Sequence, residues 1–247
     1  MEWYAFKGLY LAVDLTVLGL TLALSFDKKV SFYKHWRDFL PVNLAVGSFF
    51  IIWDAIFTKA GIWAFNPDYL LGPELAGLPI EEWLFFFCIP YASVFMFYTL
   101  KAYVKQNPLR FADSTITVTA ILICSALVVG QYGKWYIGIT SFFTALWLIW
   151  AQKNYKRWMG DLWLAFAVLL VPFVLSNGVL TGLSFWEYPL LHNDTIITDQ
   201  IVWYHPGHCT GWRIWSMPAD DLVYGFLLFG MHIAGMEARK EKRQRQG

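Results

Sequence analysis

The sequence predicts an all-α integral membrane protein of seven transmembrane helices, built as two parallel three-helix repeats joined by a linker helix. Three observations carry that expectation. Of 247 residues, 57% are hydrophobic and only 15% charged, where a soluble domain of this size carries nearer a quarter charged residues. Seven apolar runs recur along the chain, and the basic residues alternate between the loops that join them. A loop and helix-start motif occurs twice, at an offset of 139 residues.

A helix that crosses a bilayer needs roughly 20 mostly apolar residues. Such runs lie near 5–26, 39–57, 80–103, 114–131, 135–151, 161–182 and 218–236, the fifth being the shortest. They leave no room for a soluble domain, and no cleavable signal is expected because the first run is long enough to span. Loops 27–38, 101–113 and 152–160 and the tail from Arg239 hold fifteen of the 19 basic residues; the other side keeps Lys7, Lys59, Lys134 and Arg213. By the positive-inside rule the C-terminus is cytoplasmic and the N-terminus outside. A multi-pass protein of the cell (inner) membrane is the expected location.

The repeat is read from the loops. Pro67, Gly72, Pro79, Glu81 and Glu82 recur as Pro206, Gly211, Pro218, Asp220 and Asp221 at the offset of 139. Upstream, Asp54 and Thr58 match Asn177 and Thr181 at an offset of 123, which places an insertion in the polar loop 183–201. An even number of helices separates the copies, so they run parallel. The organisation is a first repeat over 1–112, a linker helix over 113–132 and a second repeat over 133–247.

Polar residues at membrane depth are costly, so each requires a reason. Proline at a helix start is bland, because its missing N–H belongs to the unbonded first turn. An acid in that turn is favoured by the helix dipole. Capping explains one acid in one copy; it explains less well two adjacent acids, twice. Adjacent carboxylates beside lipid cannot both ionise cheaply, so a protonated acid next to an ionised partner is expected, a pair able to give and take a proton. Glu81, Glu82, Asp220 and Asp221 are therefore the catalytic candidates.

Asp14 lies mid-span in the first helix and Asp54 near the outer end of the second. Each serves either as an interhelical hydrogen bond or in function. At the upstream offset Asp14 faces Ile137, so its role is not duplicated, whereas Asp54 and Asn177 could each brace the acids of their own repeat. The aromatic runs around Trp83 and at Trp203-Tyr204 suit packing and lipid contact; beside a proton donor their π faces could also shield a carbocation.

Several classes are excluded. A net charge of +1 lacks the concentrated basic face that nucleic acid requires. His205, His208 and Cys209 have Asn66, Tyr69 and Leu70 as repeat equivalents, and no second ligand cluster exists, so no metal is expected. The three cysteines, Cys88, Cys124 and Cys209, show no paired spacing. No phosphate loop or dinucleotide fingerprint is present, so no cofactor is expected. A retinal receptor needs a lysine in the seventh helix for its Schiff base, and 218–236 holds none. A small-solute transporter of three-plus-one-plus-three design remains the alternative, since midplane polar residues on repeats suit transport.

Trp53-Asp54-Ala55-Ile56-Phe57-Thr58, then Gly61 through Tyr69, and Leu78-Pro79-Ile80-Glu81-Glu82-Trp83 resemble the first half of the membrane-integral, heterodimeric-type lycopene cyclases of bacteria and fungi. Asn177-Gly178-Val179-Leu180-Thr181-Gly182, Val202-Trp203-Tyr204 and Pro218 through Phe226 resemble their second half. The halves look fused here, with no prenyl-transferring domain. There are departures: Asp220 stands where that family usually has Glu, His205 where Asn is expected, and Thr99 where Glu commonly follows Tyr, while Glu237 matches a late Glu.

The resemblance implies redox-neutral, acid-initiated cyclisation of the linear ends of lycopene, to β-rings or, by proton loss from a neighbouring carbon, to ε-rings, or a related cyclase for another polyprenyl or longer carotenoid. It implies Asp14, Asp54, Trp63 and Asn66, with Asn177, Trp203, Tyr204 and Glu237, as substrate-binding or supporting residues. The implied partners are a lipophilic carotenoid and the surrounding lipid, with association into homo-oligomers or with other carotenoid enzymes.

Overall fold

The computed structural model describes residues 6–154, 156–193 and 196–246. The expected start of the first span at residue 5, the side chains of Lys156 and Arg157, and residues 194–195 of the polar loop lie outside that description. Seven α-helices appear among the described residues: α1 (Leu9–Leu24), α2 (Trp36–Lys59), α3 (Ile80–Tyr103), α4 (Asp113–Gly130), α5 (Trp135–Asn154), α6 (Lys156–Thr181) and α7 (Asp220–Gln246). Most lie within a few residues of the apolar runs. The exception is α7, which continues through the basic tail because Lys, Arg, Glu and Gln are good helix formers.

Four stretches are long and apolar enough to cross a membrane: Phe32–Lys59, Ile80–Tyr103, Asp113–Gly130 and Trp158–Thr181. The sequence reading gave seven. The α1 helix has only 16 residues. In α5 the apolar run is broken by Thr140, Ser141 and Thr144, and α7 carries Asp220, Asp221, His232 and Glu237, all turned inward. The burial pattern inverts that of a soluble protein. Leu44, Leu122 and Val171 are two-thirds or more exposed or nearly so, while Asp14 and Glu81 are wholly buried.

The helices pack in corresponding pairs, α1 on α3 and α5 on α7, α2 on α7 and α3 on α6. The α4 helix forms a hairpin with α5 and buries little of itself beyond Thr117 and Cys124. Gly8, in the left-handed region at φ 84°, lets the chain turn into α1 while its N–H donates to Tyr69 O at 3.0 Å.

Short strands cap one end of the bundle: β1 (Trp63–Phe65), β2 (Glu74–Leu75), β3 (Leu78–Pro79), β4 (Val202–Tyr204), β5 (Arg213–Ile214) and β6 (Met217–Pro218). β2–β3 and β5–β6 are tight hairpins, and their first turn residues, Ala76 and Trp215, both have positive φ. β1 pairs antiparallel with β4, with Ala64 opposite Trp203. Those two residues are themselves 139 apart. The flanking bonds match as well: Asn66 N–H donates to Ile201 O and His205 N–H to Ile62 O, both at 2.8 Å. Near the far end of α3 and α7, Tyr98 OH donates to Glu237 Oε1 at 3.4 Å, again 139 residues apart.

Candidate active site

Each acid pair opens a helix, and consecutive helical residues point about 100° apart. The two acids of a pair therefore face different surroundings. Glu81 turns back to the preceding loop, where its Oε1 accepts the Leu71 N–H at 2.6 Å. Asp220 does the same: its Oδ1 accepts the Thr210 N–H at 2.8 Å. Leu71 and Thr210 are equivalent positions, each preceded by a 3-10 turn, Pro67–Tyr69 or Pro206–His208. The shorter Asp220 gains a second donor, Thr210 Oγ1 at 2.7 Å, which compensates for the missing methylene. Likewise His205 substitutes for the expected Asn: its Nδ1 accepts the Gly207 N–H at 3.1 Å, as Asn66 Oδ1 accepts the Asp68 N–H at 3.0 Å.

Glu82 and Asp221 turn the other way, into a cavity of about 270 Å³. The expected dyad of adjacent acids is replaced by two acids from different helices facing one space. Tyr10 OH donates to Glu82 Oε2 at 2.5 Å, and Tyr136 OH to Asp221 Oδ1 at 2.5 Å. Asp221 is further held by Asn177 Nδ2 at 2.6 Å and Tyr204 OH at 3.1 Å, both on Oδ2. Burial, then the neighbouring Asp221, pushes the Tyr204 phenol well above its ordinary value, so it stays a donor. The two matched tyrosines set a third register, an offset of 126. At that offset Asp14 corresponds to Thr140 and not to Ile137; both are fully buried, and Asp14 Oδ1 and Oδ2 and Thr140 Oγ1 have no hydrogen-bond partner among the described residues.

The cavity lies between α1, α3, α6 and α7, and it follows α3 from Glu82 to Met96, about 21 Å at the helical rise per residue. Its walls are largely apolar, with Leu20, Phe85, Ile89, Leu169 and Phe229 among them; its carboxyls and phenols gather at the acid end, and Thr21 and Ser93 lie farther along. Such a shape accepts an extended hydrocarbon. Asp54 lines it beside Glu82, with Oδ2 lacking a hydrogen-bond partner among the described residues. Trp63, whose Nε1 donates to Thr58 Oγ1 at 3.0 Å, forms an aromatic wall with Tyr136, Tyr204 and Tyr224, at ring centroid distances of 5.2, 6.2 and 6.0 Å from its own.

The structure thus gathers Glu82, Asp221, Asp54, Asn177, Trp63 and Tyr204 around one cavity. It leaves others elsewhere. Asn66 caps its 3-10 turn, Trp203 is 41% exposed on the outer side of β4, and Glu237 pairs with Lys101 at 3.1 Å near the opposite ends of α3 and α7. Asp14 lies behind the cavity wall, within electrostatic reach of Glu82 and Glu81. Sequence reasoning missed Tyr10, Tyr136 and Tyr224. The first two were detectable as tyrosines near the starts of α1 and α5, had the 126 register been sought. In the loop, burial pushes the Cys209 thiol far up, which keeps it protonated and a poor metal ligand.

A family model described as lycopene cyclase matches residues 7–100 and 133–238. The chain is 40% identical over 78 residues to a bifunctional lycopene cyclase/phytoene synthase of Podospora anserina, covering 30% of this chain and 13% of that protein. It is 26% identical over 156 residues to the protein of the same name from Neurospora crassa, covering 60% of this chain and 25% of the relative. With that of Pyrenophora tritici-repentis it shares 34% over 97 residues, or 39% and 16% of the two lengths. The matched region spans a quarter or less of these curated relatives, and no solved structure matches. The family model skips the segment that contains α4 and takes in both acid pairs and the whole wall of the cavity, so the chain belongs to the lycopene cyclase family.

Proposed function

We propose that this chain closes the linear ends of lycopene into β-rings by proton transfer inside a lipid-facing cavity. One observation carries the reading: Glu82 and Asp221, from equivalent starts of α3 and α7, open into the same elongated apolar space. The reaction is an isomerisation. A carboxyl O–H breaks as a C–H bond forms at the terminal double bond, the next double bond attacks the cation to close the ring, and a ring C–H gives its proton to a carboxylate. Atoms and electrons balance without a redox partner.

The surroundings of the two acids divide the roles. Asp221 accepts three hydrogen bonds, and Arg213 and Lys134 lie within electrostatic reach of its own pair. That is a site for an anion, suited to receive the proton and to stabilise the cation. Glu82 has one phenol donor, and the position equivalent to Asn177 is Asp54, a second carboxyl. Carboxyls crowded in a dry pocket hold protons between them, which suits Glu82 as the donor. The Trp63, Tyr136, Tyr204 and Tyr224 rings stand where the passing cation needs π faces. Glu81 and Asp220 fix the loops that place their neighbours.

In this reading the seven helices all span the bilayer as two parallel repeats about the α4 linker, with the acid end and its strand cap outside and the basic tail in the cytoplasm. The matched bonds at Glu81 and Asp220, at Tyr10 and Tyr136, and across β1–β4 support it, as does the alternation of basic loops. Expression in a lycopene-accumulating bacterium tests the activity: red lycopene is expected to become yellow-orange cyclic carotene with no added metal. Unchanged lycopene, with the protein present in the membrane, would refute the assignment. A reporter fused after Arg239 is expected to read as cytoplasmic and one within 185–200 as external; the reverse overturns the topology.

A further inference from the structure

Two equivalent three-helix repeats should build two equivalent cavities, one between α1, α3, α6 and α7 and its mate between α5, α7, α2 and α3. At five positions the second space is filled, although Phe95 and Met96 of the open side correspond at 139 to the smaller Ala234 and Gly235. The cavity-lining Val17 and Thr21 of α1 correspond, at the offset of 126, to Phe143 and Trp147 of α5. Pro172 and Ser176 of α6 correspond at 123 to Phe49 and Trp53 of α2, and Gly225 of α7 corresponds at 139 to Phe86 of α3. Every one of these five exchanges puts an aromatic ring where the open side has a small or medium side chain.

Four of the rings, joined through Phe50, pack against one another as a plug, and Trp147 packs beside Phe226. Trp53 stacks on Phe50 at 5.8 Å and meets Phe143 at 5.4 Å; Phe49 touches Phe143 at 6.5 Å, and Phe50 meets Phe86 at 6.3 Å. Trp147 is seated by a glycine: a Cβ at Gly230 would stand 2.4 Å from its Cη2. Trp53 and Phe86 are almost fully buried. On the open side Ser176 and Gly225 are part of the cavity wall, where Gly225 seats the lining Phe173 ring, a Cβ there standing 3.0 Å from its Cζ.

Resting on the cyclase reading above, we propose that each chain holds a single end of one linear carotenoid, in the α1–α3–α6–α7 channel, and that the aromatic plug closes the mate. Glu82 and Asp221 then serve one ring closure together, not one each. A carotenoid with two rings forms only after the one-ringed intermediate leaves, reverses and re-enters.

The test uses the purified full chain in detergent with lycopene itself as ligand, read by carotenoid absorbance co-eluting with protein. One lycopene per chain is expected. Thr21→Trp and Ser176→Trp, which copy the plug residues on two different helices, are expected to lose bound carotenoid while eluting and melting like the parent. Phe143→Val, on the plugged side, is expected to leave the stoichiometry at one. With labelled lycopene and an excess of unlabelled one-ringed carotene, label in any two-ringed product is expected to be diluted; a product that stops at one ring agrees equally. Two lycopenes per chain, binding that survives both tryptophan variants in folded protein, or undiluted label in a two-ringed product would overturn the single channel. A parent chain that binds no lycopene would instead remove the cyclase reading on which the proposal rests.

Discussion

The two acids of the first repeat differ by one position, and their replacement should separate support from chemistry. Glu81→Gln keeps a carbonyl oxygen that can accept the Leu71 N–H, now at 2.6 Å from Oε1. The loss is the difference between a hydrogen bond to a charged group and one between neutral groups, about 1 kcal/mol. Against a typical stability of about 5–15 kcal/mol this leaves the protein folded and its cavity intact. Glu82→Gln also keeps size and an acceptor for Tyr10, but its amide has no proton to give at working pH. Removing a general acid costs roughly a hundredfold or more in rate, about 2.7 kcal/mol at the barrier. Both variants would be expressed in the lycopene-accumulating host, with rings counted by chromatography and divided by membrane abundance. The expected pattern is near-parental cyclisation for Glu81→Gln and near-zero for Glu82→Gln at similar abundance. Normal ring formation by Glu82→Gln would sink its role as donor. Abolished activity in Glu81→Gln at full abundance would show that the loop-facing acid does chemistry.

Two further outcomes follow from single contacts. Tyr136→Phe removes one of three donors to Asp221, and hydrogen bonds to charged groups contribute about 1.5–3 kcal/mol; cyclisation should slow by roughly ten- to a hundredfold with abundance unchanged, measured in the same host. Gly230→Ala sets a methyl 2.4 Å from the Trp147 ring, an overpacking that costs about 1–3 kcal/mol; a lower melting midpoint in detergent is expected, and an unchanged one would mean that the α5–α7 contact is looser than drawn.

Much of the fold was legible in the sequence because hydropathy marks long apolar helices directly. The apolar runs located all seven helices, and the Pro-acid-acid repeat located both helix starts that matter. What escaped was geometry that hydropathy does not encode. Tyr10 and Tyr136 sit in apolar runs where a tyrosine reads as one more aromatic residue. Their correspondence was hidden by a three-residue change of register, from 126 between α1 and α5 to 123 between α2 and α6. The pairing of β1 with β4 escaped because three-residue strands carry almost no periodic signal. Trp203 was a reasonable candidate beside Tyr204, yet alternate strand residues point to opposite faces, and only Tyr204 faces inward. The division of each acid pair follows from the helical step, although nothing in the sequence says which of the two meets the cavity.

The repeat also poses a chemical difficulty whose answer lies in its departures from symmetry. Ring closure needs an acid and a base at once, and two identical carboxyl sites would offer two of one kind. The scaffold keeps what must match, namely the loop-fixing acids Glu81 and Asp220 and the phenols Tyr10 and Tyr136. It changes what must differ. Asn177, an amide that donates to Asp221, stands where the first repeat has Asp54, and Arg213, near Asp220 and Asp221, stands where it has Glu74. On the proposed reading, the exchange of amide for carboxyl between Asn177 and Asp54 makes the Glu82 side the donor and the Asp221 side the acceptor, while Glu74 is exposed and lies outside the cavity. On the same reading the logic extends to the walls, where small residues open one channel and rings narrow its mate, so that the proposed donor and acceptor would meet over a single chain end.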